Sequence, residues 1–138
     1  MSVHQLAHAT FSISGEYVVP GFWRKYFAVV PEVAIAKGDP VVDPTGQGRV
    51  LTRRTGVWSV RSKEFVRSDL LEPHLRYLVS HLNLPRDDFQ RLLADKNAKV
   101  HFFCYWYNAS GDRVSDVPTD IRIMMEAMGG TVEIDEYR

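Results

Sequence analysis

The segment from Lys99 to Asn108 constrains the fold more than any other stretch of this chain. Val100, Phe102, Cys104 and Trp106 alternate with His101, Phe103, Tyr105 and Tyr107. Both sets are apolar or aromatic. A strand with one wet face shows apolar–polar alternation, and this one does not. It has to be a central strand, covered by helices on one side and partly covered on the other. The rest of the chain must supply its neighbours and its cover.

The neighbours are legible as alternation. Leu6 to Ser14 places Ala7, Ala9, Phe11 and Ile13 on one face and His8, Thr10, Ser12 and Ser14 on the other, with Gly15 ending the strand. Val57-Trp58-Ser59-Val60 reads as the second arm of a bent hairpin. Its loop-rich first part, Glu32 to Arg54, holds Gly38, Pro40, Pro44, Gly46 and Gly48 between the apolar pairs Val41-Val42 and Val50-Leu51. Thr131 to Tyr137 is the closing strand, with Val132 and Ile134 inward.

The cover is legible as helical stripes. Pro20 suits a first helical turn, and Phe22, Trp23, Tyr26 and Phe27 follow on a short aromatic helix that Pro31 stops. Ser68 and Asp69 offer an N-cap, with Glu72 in capping-box spacing. Leu71, Leu75, Leu78, Val79 and Leu82 then form a stripe. Asn83 and Pro85 break the chain before a second helix with Phe89, Leu92 and Leu93. Pro118 or Thr119 opens a last helix with Ile121, Met124, Met125 and Met128, closed by Gly129-Gly130.

The expected fold is α+β. It is a single-domain two-layer sandwich over residues 1–138, with a mixed sheet of four to five strands and helices packed mainly on one face. The nearest named arrangement is a ferredoxin-like variant with an inserted helical hairpin. A strand pair joined across a helix should be parallel, with a right-handed crossover. A chain of 138 residues can bury one sizeable core.

Composition narrows the function. The 17 basic residues balance 17 acidic ones. That balance argues against a general nucleic-acid binder, whose affinity comes from neutralising phosphates. The single Cys104 forms no internal disulfide and asks for no oxidising compartment. No apolar run reaches the roughly 18 residues of a membrane span. Met1 to Thr10 lacks the basic and apolar regions of a secretion signal, so a cytoplasmic protein is expected.

The chemistry scan is mostly negative. There is no Gly-x-Ser-x-Gly, no phosphate loop, no Gly-x-Gly-x-x-Gly before a helix and no His-Glu-x-x-His. Gly46-Gln47-Gly48 lacks the helix start that a phosphate cradle needs. His74 and His81 share a helix face but stand two turns apart, too far to chelate a metal. Cys104 shares its face with Phe102 and Trp106 and reads as a buried structural thiol. No metal and no cofactor is expected.

Two patterns remain. The middle of the chain is basic (Arg49, Arg53, Arg54, Arg61, Lys63, Arg67) and the last third is acidic (Asp112, Asp116, Asp120, Glu126, Glu133, Asp135, Glu136). This is either a solvated face or a bipolar surface that steers a charged protein partner. The aromatics also exceed what a small core needs with polar tips to satisfy. Tyr105, Tyr107 and His101, on the less covered face of the central strand, are candidate contacts for a partner. Arg54 is a candidate anchor, and Asp112 and Asp116 are candidate contacts for a basic one.

Five blocks, in order, carry a resemblance: Thr10-Phe11-Ser12-Ile13-Ser14-Gly15, Val30-Pro31, Lys37-Gly38-Asp39, Gly56-Val57-Trp58-Ser59 and Asp135-Glu136-Tyr137. The chain resembles the bacterial domain of unknown function, family 4279. The resemblance implies a small single-domain bacterial protein, cytosolic and without established enzymatic chemistry. It also implies an association of some members with toxin–immunity loci. The expectation is a non-enzymatic protein-binding domain, of the immunity or antidote kind, whose partner is a toxin. The alternative is a small-ligand or nucleotide-binding regulatory domain using the loop from Lys37 to Arg54, and an enzyme ranks last. Lys37, Gly38 and Asp39 are expected to form a structural turn, and Trp58 to be buried between the sheet and the helix carrying Phe22 and Phe27.

Overall fold

A strand apolar on both faces needs a partner along each edge and a layer above it, and the chain provides both. The computed structural model describes residues 6–41 and 51–138. Seven strands are described: β1 (Ala7–Gly15), β2 (Val33–Ile35), β3 (Pro40–Val41), β4 (Leu51–Thr52), β5 (Gly56–Arg61), β6 (Lys99–Tyr107) and β7 (Thr131–Tyr137). Helix α1 (Pro20–Phe27) follows β1. Helices α2 (Leu71–His81) and α3 (Phe89–Asp95) lie between β5 and β6, and α4 (Thr119–Ala127) lies between β6 and β7.

Five strands form one mixed sheet in the order β2-β5-β1-β6-β7, and β3 pairs with β4 in a separate two-stranded ribbon. The pairs β2/β5, β5/β1 and β1/β6 are antiparallel. The expected parallel pair is β6/β7, joined across α4. The central pair is thus antiparallel and the parallel pair sits at one edge, which is how this α+β sandwich varies the ferredoxin-like layout. Residues 42–50, which include Arg49, Val42, Val50 and the Gly46-Gln47-Gly48 loop, lie outside the described residues.

The helices cover one face. Ala7, Ala9, Phe11 and Ile13 of β1, Trp58 and Val60 of β5, and Val100, Phe102, Cys104 and Trp106 of β6 are all buried in one cluster. Above them sit Trp23 and Phe27 of α1, Leu71, Leu75 and Leu78 of α2, Phe89 and Leu93 of α3, and Ile121 and Met125 of α4. Phe11 is the hub: its ring lies 5.6 to 6.4 Å from the rings of Phe27, Trp58, Phe89 and Phe102. Each buried large side chain of this kind stabilises the fold by about 1.5–3 kcal/mol over exposure.

Local stops differ from the expected ones in instructive ways. Helix α1 ends before Pro31: Ala28 takes a left-handed conformation (φ 55°) and the Val29 N–H donates to the Arg24 carbonyl. Its buried residues are Trp23 and Phe27, while Phe22 packs from the side. Helix α2 is not capped by Ser68 or Asp69. Its exposed Leu70 occupies the cap position, and the carboxylate comes from Asp116, 45 positions away from Leu71. Val132 is half-buried, but Ile134 is 38% exposed because it lies at the sheet edge. No described helix is long and apolar enough to cross a membrane.

Candidate functional site

The face of the sheet opposite the helices carries the other half of every strand. Along β6 these residues are His101, Phe103, Tyr105 and Tyr107. Register sets their neighbours: His101 lies between Ser12 and Thr131, Phe103 between Thr10 and Glu133, and Tyr105 between His8 and Asp135. Tyr107 lies beside Tyr137. Toward β5 the face is small and closed, where Ser12 and Ser59 are buried and their hydroxyls hydrogen-bond at 2.9 Å. Toward β7 it is aromatic and open.

The rings on this half form a shelf of two groups, one of His8, Tyr105 and Tyr137 and one of His101 and Phe103. His8 stacks on Tyr105 with ring centres 4.6 Å apart and planes within 4°. Tyr105 meets Tyr137 at 5.1 Å, and His101 meets Phe103 at 4.5 Å. Phe103, Tyr107 and Tyr137 are 42%, 36% and 46% exposed, large values for residues in strand pairs. The shelf has a carboxylate rim on β7. The Tyr137 hydroxyl donates to Asp135 at 2.6 Å, and that bond raises the phenol pKa. Glu133 stands 4.0 Å from His101 Nδ1. Burial lowers the His101 pKa, and Glu133 opposes that shift without overcoming it. Burial likewise lowers His8, with Lys63 adding to the effect. Both imidazoles are therefore neutral at neutral pH. The shelf offers π faces, hydroxyl donors and carboxylate acceptors.

Of the residues singled out from sequence, His101, Tyr105 and Tyr107 do come together here. Arg54 does not. It is exposed in the turn before β5, beside the Gly15/Gly56 end of the sheet, whereas Tyr107 follows the Ala7/Trp106 end. The length of β1 separates them, roughly 25 Å at strand rise. Asp112 is exposed in the turn after β6, where its N–H donates to Ser110 Oγ. Asp116 is a correction to the expected surface role. Its carboxylate accepts the Leu71 N–H at 2.7 Å and the Glu72 N–H at 3.0 Å, so it caps α2. It answers the positive helix end.

The other expected features are structural. Gly38 has φ 91°, and the Ala36 N–H donates to Asp39 Oδ2 at 2.8 Å, closing the Lys37-Gly38-Asp39 turn. Gly38 and Asp39 also exchange backbone bonds with Arg53. Lys37 reaches Glu16 at 3.8 Å. Trp58 is fully buried and stacks on Phe27 at 5.2 Å. Gly56 admits no side chain: a Cβ there would lie 2.9 Å from the Ile35 carbonyl and from Val18. Cys104 is buried, and burial pushes its thiol up to about 12.

Sequence reasoning missed a second polar constellation. Ser62 Oγ lies 2.7 Å from His74 Nδ1, and both residues are buried. The spacing resembles a nucleophile and its base, but the bonds are spent on structure. The Ala9 N–H donates to Ser62 Oγ at 2.9 Å, and His74 Nε2 donates to the Ser68 carbonyl at 2.8 Å. Nδ1 is then the acceptor and Ser62 the donor. The group pins β1 to α2. Arg113 was missed as well. Its guanidinium lies 3.9 Å from the Trp106 ring centre, and it donates to the carbonyls of Tyr107 and Asp69. Away from the shelf, an open cleft along α1 is lined by Gly21, Arg24, Lys25, Ala28, Val29 and Val30. Its two cations, Arg24 and Lys25, are exposed.

The shelf residues His8, Glu133 and Tyr137 escaped the sequence reading because strand register, which joins them to Tyr105, is not written in any one segment. The sequence model of a family described as Domain of unknown function (DUF4279) matches residues 4–138. No curated protein and no solved structure matches the chain.

Proposed function

The chain belongs to the DUF4279 family, and from that premise we propose that it is a non-catalytic binding domain that docks a protein partner on the open, aromatic half of its sheet. One observation carries the reading. Phe103, Tyr107 and Tyr137 are exposed around a half-buried Tyr105 on paired strands, although a solvated sheet face is ordinarily polar. Tyrosines held by strand pairing supply contact area at little entropic cost, which is what interface anchors require. The association of some members with toxin–immunity loci, which the resemblance implies, is the ground for the narrower form of the proposal: a bacterial, cytoplasmic antidote whose partner is a toxin.

The test is capture of the protein encoded beside this chain's gene, followed by titration with variants. Tyr105→Ala and Tyr107→Ala should each weaken binding by about 2 kcal/mol or more, near 30-fold in Kd. Arg54→Ala should leave the affinity unchanged. Co-expression should also protect cells from that neighbouring protein. Turnover of a small molecule by the isolated chain, abolished by His101→Ala, overturns the non-catalytic reading.

A further inference from the structure

β7 is an edge strand of 7 residues, and its outer side is bare among the described residues. The opposite edge, β2, has 3 residues, a length too short to template another strand well. The direction of the bare groups follows from one bond. The Asn108 N–H donates to the Tyr137 carbonyl at 2.7 Å, so Tyr137 turns its backbone toward β6. Backbone direction alternates along a strand. Thr131, Glu133 and Asp135 therefore bond inward, and Val132, Ile134 and Glu136 present their N–H and C=O groups outward. The side chains alternate oppositely across the faces. Glu133 and Asp135 line the aromatic shelf, while Val132 and Ile134 lie on the helix side.

We propose that this edge accepts an extended, basic segment of a partner protein as a sixth strand of the sheet. The inference rests on the protein-docking reading above and names the chemistry of that partner. Charge selects the occupant. Among the described residues no Lys or Arg pairs with Glu133 or Asp135, whereas Glu136 is already met by Arg138 at 2.8 Å. A second copy of this chain fits poorly. Two β7 edges related by a twofold axis run antiparallel, and centring them on Ile134 sets Glu133 against Asp135. Like charges directly opposite destabilise a strand pair. A strand alternating cationic and apolar residues puts its cations beside Glu133 and Asp135 and its apolar groups beside Val132 and Ile134. Its backbone satisfies the outward groups, the usual source of affinity in strand addition.

The experiment titrates the full chain with a blocked peptide of 7 alternating lysine and valine residues, the length of β7. A control replaces lysine by glutamate. Two more peptides carry N-methyl groups on alternate residues, in one frame or the other. The lysine peptide should bind and the glutamate peptide should not. One methylated frame should weaken binding about tenfold or more, because its amides are the ladder donors, and the other should bind normally. The double variant E133Q/D135N should lose about fivefold at low salt, and less at high salt. Equal binding of the lysine and glutamate peptides overturns the inference, as do equal effects of both methylated frames or no binding of any peptide at millimolar concentration. If the peptide results hold but Tyr105→Ala and Tyr107→Ala leave the natural partner's affinity intact, the edge stands and the face reading falls. If the tyrosine variants lose the partner and the frames do not differ, the reverse holds.

Discussion

Trp58 shows how one residue can organise several levels of this molecule. Its ring fills the space between Phe11 and Phe27, and Gly56 two residues earlier lets β5 approach Val18 and Ile35. Truncation leaves a void lined by rings that cannot collapse. Trp58→Ala should cost about 3–5 kcal/mol, read as a lowered urea midpoint with an unchanged slope. An unchanged midpoint would place Trp58 outside the core. His74 makes a second claim at this scale. Burial lowers its pKa from the ordinary 6.5 and outweighs the Ser68 carbonyl and the nearby Asp116 and Asp69, which favour the charged ring; the bond accepted from Ser62 suits the neutral one. The unfolded chain then takes up protons first as pH falls. Stability should be full above about pH 6.5 and decline as pH drops toward the folded-state value, with His8 and His101 contributing in the same direction. Thermal melts between about pH 7.5 and 5 test this, a window above the titration of ordinary carboxylates. His74→Gln should melt lower but with a flatter pH dependence. A melting temperature that rises on acidification in the parent chain would contradict the assignment.

At the scale of elements, the sequence reading succeeded where periodicity alone decides and failed where a distant residue decides. The two-sided apolar run of β6, the alternation of β1 and the stripes of α2 and α4 each lie within one segment, so each was legible. The start of α2 was not. Local rules favoured Ser68, Asp69 and Glu72, but the donors at Leu71 and Glu72 are met by Asp116 from the loop before α4. The acidic tail of the chain thus looked like a binding surface when part of it is a helix cap. Asp116→Ala should lower stability by about 1–2 kcal/mol, and Asp116→Asn by less, measured by denaturant melts. Neither should change the association rate with a partner. A slowed association rate with unaltered stability would return Asp116 to the surface role first expected of it.

For the whole molecule, the blocks that carry the family resemblance are mostly scaffold. Gly15 and Gly56 sit paired at one sheet end, Lys37-Gly38-Asp39 closes a turn, Trp58 fills the core and Ser59 bridges to Ser12. Thr10, Asp135 and Tyr137 lie on the open shelf. The shelf itself is assembled by register from β1, β6 and β7, with the parallel β6/β7 pairing placing Tyr137 beside Tyr107 and Asp135 beside Tyr105. A single sequence does not encode which strands are neighbours, so half of the candidate surface was invisible until the sheet was in hand. The helix side, by contrast, is sealed by its own core. Among the described residues the aromatic half of the sheet is open and ends in the bare β7 edge, and the proposed reading puts a partner there. Covalent footprinting of the chain, free and bound to the protein encoded beside its gene, tests that account most directly. The account predicts protection of Phe103, Tyr105, Tyr107 and Tyr137 in the complex, with Arg24, Lys25 and Arg54 labelled equally in both states. Protection of the α1 cleft or the Lys37-Gly38-Asp39 turn, with the four aromatic residues still fully labelled, would contradict it.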